Sequence, residues 1–154
     1  MNNIVEQQTQ TDKIAKWKMF IKAGNSSFYG QQTIVAIAYY QKAITISEQL
    51  FKSWEDIQSA ISTMLISHHN LADLFLKEGN IDLAELELRT IHQKLLLSLH
   101  EAEPNSPRMD ALLWGVSRTY FALISHLKNS SERVKTMPLY APSSLEMAYK
   151  NNLS

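Results

Sequence analysis

The stretch Asn70-Leu71-Ala72-Asp73-Leu74-Phe75-Leu76-Lys77-Glu78-Gly79-Asn80-Ile81-Asp82-Leu83-Ala84-Glu85-Leu86-Glu87-Leu88 decides the fold. Apolar residues recur three and four apart on both sides of Gly79-Asn80, which marks two amphipathic helices. Gly79 breaks the first helix, and Asn80 stands where an N-cap opens the second. Ala72 and Ala84 lie one on each side of the break. Two antiparallel helices approach closely where small side chains face each other, and the large residues one turn away, Phe75 and Leu88, fill the groove between them. The stretch is therefore a helical hairpin.

Working outward, the first of these helices extends back through Met64, Ile61 and Ile57 to Ser53-Trp54-Glu55-Asp56, with Ser53 as its expected N-cap. The second continues through Ile91, Leu95 and Leu99. Pro104-Asn105-Ser106-Pro107 then punctuates the chain, with Ser106 as N-cap and Pro107 as first residue of a fifth helix. That helix runs through Leu112, Leu113, Val116, Tyr120, Leu123 and Leu127 to Asn129-Ser130-Ser131. Two helices precede the hairpin, over residues 12–30 (Ile14, Trp17, Phe20, Ile21, Gly24) and 32–52 (Ile34, Ile37, Ile44, Leu50). The polar residues 1–11 are expected to be mobile. Residues 129–154 are expected to form a loop and a short capping helix opened by Ser143 and Glu146. No period-two alternation competes, so the fold class is all-α, with a helical domain over residues 12–128.

The hairpin repeats. At an offset of 48, Gly24 falls on Ala72, Ala36 on Ala84 and Tyr40 on Leu88. At an offset of 45 from the second copy, Leu113, Val116, Ser117 and Tyr120 supply half of a third. With these residues the chain resembles the tetratricopeptide repeat family. Leu71-Ala72-x-x-Phe75 stands for its Leu-Gly-x-x-Tyr stretch, Gly79 for its turn and Ala84 for its second small residue. The repeat is longer than the family's ~34 residues by close to four helical turns, which lengthens the helices but preserves their facing.

The resemblance implies that the first helix of each hairpin lines a concave groove that holds a partner segment. Carried over by position, the groove residues are Lys18, Ile21, Lys22, Asn25, Phe28 and Tyr29 in the first copy. In the second they are Ile66, His69, Asn70, Asp73, Leu76 and Lys77, and in the third Ala111, Trp114, Arg118 and Phe121. Asn25 and Asn70 stand where the family's asparagines hold a terminal carboxylate, but Ile21 replaces a lysine there, so that clamp is incomplete.

Composition narrows the function classes. Fifteen basic and fifteen acidic residues leave no net charge and no basic footprint for nucleic acid. The absence of cysteine removes disulfides and thiolate chemistry. No apolar run approaches the roughly 20 residues of a membrane helix, and no signal-peptide pattern opens the chain, so a cytoplasmic setting is expected. The five histidines form no zinc motif: His68 and His69 diverge around a helix, and His69 with Asp73 makes a single two-ligand pair. Neither a metal nor a cofactor is expected. Glu85 and Glu87 read as a solvated face, not an acid–base pair. The aromatics Trp17, Phe20, Tyr39 and Tyr40 fall at core spacing.

The expected function is a protein-interaction module, adaptor or chaperone-like, with no enzymatic activity. Two alternatives are weighed. Leu86, Leu88, Ile91, Leu95, Leu96, Leu97 and Leu99 cover more than one helix face, which favours a self-associating structural protein or homodimer. An enzyme or small-ligand site would require His69, Asp73 and Trp114 to converge.

Overall fold

The computed structural model describes residues 2–134. Over them the chain forms five helices and no strand: α1 (Asn2–Tyr29), α2 (Thr33–Ser53), α3 (Ile57–Lys77), α4 (Ile81–Glu101) and α5 (Pro107–Val134). The connections are a few residues long, so consecutive helices run antiparallel and pack as hairpins. Each helix packs on the next, α3 also packs on α5, and α1 touches α3. The first helices α1, α3 and α5 are thus neighbours, with α2 seated on α1 and α3, and α4 on α3 and α5. The expected helix at Ser143–Glu146 lies outside the described residues.

Helix ends follow local chemistry. Gly79 takes the left-handed conformation, φ 77°, and Asn80 N–H closes the turn on Phe75 O at 2.8 Å. At the end of α1 that role falls to Gln31, φ 60°, and not to Gly30 beside it. Ser106 caps α5 as predicted, its Oγ accepting from Met109 N–H at 3.1 Å. The start of α3 corrects the reading. Ser53 is the last residue of α2, and its hydroxyl donates to Gln49 O. The cap is Asp56, whose carboxylate accepts from both the hydroxyl and the N–H of Ser59 and is held below its ordinary pKa by them. A carboxylate accepts two such bonds where a serine oxygen would cap one.

Helix α1 begins ten residues earlier than hydrophobic periodicity predicts. Residues 3–12 contain no Gly or Pro to break a helix, and Thr9 and Thr11 hydroxyls donate to carbonyls one turn back. They bury almost nothing, with Ile4 and Val5 exposed, which is why no apolar stripe betrays them. Helix α5 likewise runs on past Asn129-Ser130-Ser131 to Val134.

Two apolar clusters lie along the bundle. One gathers Trp17, Leu50, Phe51, Ile61, Met64, Ile91, Leu95 and Leu112. The other gathers Ala36, Tyr40, Leu71, Ala72, Phe75, Leu83, Ala84, Leu88 and Leu123, and Ile21 packs against both. Ala72, Ala84, Phe75 and Leu88 therefore share one core, as the hairpin reading requires. In the first hairpin the close approach differs: a Cβ on Gly24 would lie 2.5 Å from the ring of Tyr40. Gly24 makes room for an aromatic ring, and Ala36 is not its nearest neighbour.

The register of the third copy is one residue off. Leu112, Gly115 and Thr119 are buried, while Leu113 and Tyr120 are exposed. Glu87 is also not on a solvated face. It is buried, and its carboxylate lies 2.9 Å from Nδ1 of the buried His68, tying α4 to α3. A charge-capable group is tolerated in such a place only with a partner.

Ala84 is fully buried, whereas Glu85 is partly exposed and paired with Arg89 one turn on. Ala84→Leu is expected to cost about 1–3 kcal/mol through overpacking. Glu85→Leu should change stability by only about 0.5 kcal/mol. Urea melts of the two variants measure the difference, and equal midpoints would disprove the Ala72–Ala84 packing.

Candidate functional site

The seam between α1 and α3 is stitched by polar contacts. Trp17 Nε1–H donates to Ser67 Oγ at 2.8 Å, and Ser67 Oγ donates to Thr63 O. Asn25 Oδ1 accepts from the Tyr40 hydroxyl at 2.7 Å and from Asn70 Nδ2 at 3.2 Å. Burial, with Tyr29 and Asp73 adding to it, pushes the Tyr40 hydroxyl up to about 12, so it stays a donor through the neutral range. Further along, Lys77 Nζ donates to Phe28 O at 3.2 Å and sits 4.3 Å from the centre of the Phe28 ring. The two asparagines are thereby spent on each other and on Tyr40, a structural bracket between hairpins.

The seam between α3 and α5 holds a cavity of about 250 Å³. Its floor is apolar, formed by Ala72, Leu76, Leu88 and Ala122, and its polar lining is His69, Asp73, His126 and Asn129. His69 and Asp73 lie four apart on α3, and His126 and Asn129 three apart on α5, so each pair projects from one helix face. Burial, with His68 adding to it, lowers the pKa of His69, which is therefore a neutral imidazole at pH 7. Its Nε2 is buried with no hydrogen-bond partner. His126 Nε2 lies 3.3 Å from Ser130 Oγ. Burial raises the Asp73 carboxyl above its ordinary value, although more than a third of the residue still meets solvent.

Other expected groove residues are placed as follows. Lys18 and Lys22 are exposed on α1, and Tyr29, 80% exposed, stands edge-on to Phe28 at 5.7 Å. Phe121 is 75% exposed on α5. Arg118 is exposed and stacks over Trp114 at 5.7 Å. Ile66 is exposed, but Ala111 is buried in the first core cluster and cannot meet a partner. Trp114 packs against that same cluster and does not line the cavity. The structure thus brings His69 and Asp73 together with His126 and Asn129 and leaves Trp114 elsewhere.

Asn129 fell where the helix was expected to end, and His126, inside the expected helix, was read only as one of five histidines without a zinc motif. Their three-residue spacing is the signal that marked them as facing one way. A wider cleft of about 740 Å³ lies between the first turns of α1 and the α2–α3 connection. Its walls are mostly exposed polar side chains and include Glu6, Lys13, Glu55 and the helix-capping Asp56. Among the described residues no group of three metal-ligating side chains is assembled, and no helix is long and apolar enough to cross a membrane.

A family model described as "Protein of unknown function (DUF2753)" matches residues 15–139. The chain belongs to that family. The match spans the cavity lining on α3, α4 and α5 and nearly all of α1 beyond its overhanging first turns. No curated protein and no solved structure matches the chain.

Asp73 carries a testable stability signature. A carboxyl whose pKa is raised on folding binds more protons folded than unfolded, so its contribution falls as pH rises through that window. Asp73→Asn removes the penalty. The variant should melt higher than wild type at pH 7, by about 1–2 °C given solvent screening, and lose that advantage below the carboxylate range. Thermal melts at several pH values read this out; a variant less stable at pH 7 would show Asp73 to be structurally paired.

Proposed function

We propose that the chain is a divergent tetratricopeptide-like module that binds an extended segment of a partner protein across α1, α3 and α5. One observation carries the reading: the first helices carry exposed aromatics, Tyr29 on α1 and Phe121 on α5, and α3 and α5 enclose a polar cavity lined by His69, Asp73, His126 and Asn129. Protein-binding surfaces combine aromatic anchors with a few fixed polar groups in this way. The cavity, at about 250 Å³, is smaller than the ~300–1,000 Å³ of small-molecule sites, which favours capture of a side chain over that of a cofactor. The family assignment leaves this reading open, and its support is the geometry alone.

The test is selection from a displayed peptide library against the full chain. Enriched peptides should lose about tenfold or more in affinity against Phe28→Ala or Phe121→Ala, the effect of removing a ~1.4 kcal/mol contact. They should be unaffected by Leu97→Ala on α4. Peptides equally sensitive to both faces, or no enrichment, would remove the groove from consideration.

A second reading rests on a separate observation. Leu96 and Leu97 on α4, and Leu113, Tyr120 and Ile124 on α5, remain exposed in the single chain. A second copy of the chain covering them would make a homodimer. Light scattering across a hundredfold concentration range decides this: a constant monomer mass rules it out.

A further inference from the structure

The cavity between α3 and α5 has a chemistry of its own. Asp73 lines it, yet among the described residues no hydrogen bond or ion pair engages its carboxylate. Lys77, one turn further on α3, has the position to neutralise Asp73, since pairs four apart on a helix meet. Its ammonium is instead occupied by the carbonyl and ring of Phe28. His69, one turn back, is kept neutral by burial and brings no positive charge. A neutral imidazole offers one lone pair, carried by whichever ring nitrogen the tautomer leaves unprotonated. Asn129 adds an amide oxygen on the α5 wall. The lining therefore presents a carboxylate that no hydrogen bond or ion pair engages among the described residues, together with imidazole and amide groups, against the apolar Ala72, Leu76, Leu88 and Ala122.

We propose that this cavity receives a basic side chain of the bound segment, above all the guanidinium of an arginine, with Asp73 as its counter-ion. The apolar floor suits the methylene stem of such a side chain, and the spread of acceptors suits a planar head with five donors. The preference is opposite in charge to a carboxylate clamp: Asn25 and Asn70 are engaged with each other, and the cavity is anionic. A cation here also answers the raised carboxyl of Asp73, because an adjacent positive charge favours the ionised form. The inference rests on the segment-binding reading above but is tested apart from it.

The probes are N-acetyl-arginine N-methylamide and its neutral isostere, N-acetyl-citrulline N-methylamide. Each is titrated into the full chain while the imidazole resonances of His69 and His126 are followed by NMR. The arginine compound should shift both histidines and bind at least about tenfold more tightly than citrulline, the scale of a charge-assisted hydrogen bond. Asp73→Asn should abolish the preference, with circular dichroism verifying the fold, and Asp73→Glu should retain part of it. Equal binding of the two compounds, no binding, or an arginine preference that survives Asp73→Asn would overturn the proposal. Methylguanidine, a free guanidinium of the same single charge, binding more tightly than the arginine compound would assign the cavity to a small free cation and likewise overturn a segment-borne one. Library peptides that bind the groove without any basic residue would sink this inference while leaving the segment-binding function intact. Failure of the library with arginine still bound at Asp73 would do the reverse.

Discussion

Replacing Phe75 by Ala should cost about 3–5 kcal/mol, enough to consume much of the roughly 5–15 kcal/mol that holds a domain of this size folded. Phe75 is fully buried in the cluster that joins α2, α3, α4 and α5 through Tyr40, Leu71, Leu83, Leu88 and Leu123. Truncation there loses the transfer energy of a whole ring and leaves a void that four helices cannot close together. Guanidinium unfolding followed by circular dichroism measures the loss. A midpoint unchanged in Phe75→Ala would mean that the hairpin packing described above is wrong, and the cavity built on its Ala72 face would fall with it.

Gly115→Leu should be as damaging by the opposite route. A Cβ at this position already lies 2.8 Å from Ile61 Cγ2 and 3.1 Å from Leu95 Cδ1. Both neighbours are fully buried, so neither has space to yield. A leucine adds three further carbons beyond that Cβ, and overpacking of this kind costs about 3 kcal/mol or more. The helix propensity gained by removing a glycine, about 1 kcal/mol, does not offset it. The expected result is a loss of cooperative unfolding, with exposed Leu113→Ala as the tolerated control. If Gly115→Leu melts within 1 °C of wild type, α5 is not seated between α3 and α4 at this point.

Gly115 also explains where sequence reading reached its limit. Counting apolar residues put Leu113 and Tyr120 on the inner face of α5, because they are the large ones. The helix buries Leu112, as expected, but the row continues through Gly115 and Thr119, a glycine and a hydroxyl that a count of hydrophobicity does not see. Thr119 is accommodated by hydrogen bonds to Gly115 O and to His92 of α4. The α3–α4 hairpin was legible because all its information is local: Gly79 for the turn, Ala72 and Ala84 for close approach, Phe75 and Leu88 for filling. Glu87 was not, because its burial depends on His68 nineteen positions away. The cavity was half legible. His69 and Asp73 declare themselves by spacing, but Asn129 sat where the helix was expected to end, and without it His126 had no partner one turn on to mark its face.

The division of the core into two clusters has a consequence for how the molecule comes apart. The helices are continuous, but their apolar burial is grouped: Trp17, Phe51, Ile61 and Leu112 secure one end and Tyr40, Phe75, Leu83 and Leu123 the other, with the buried polar Ser67 and His68 between them on α3. Opening of one end therefore does not require the loss of the other's contacts. Amide protection along a single helix should step rather than fade, with residues near Ile61 and residues near Phe75 exchanging as separate cooperative units. The cavity belongs wholly to the second of these units, so a ligand seated there would slow exchange at that end of α3 and leave the far end of the same helix unaltered.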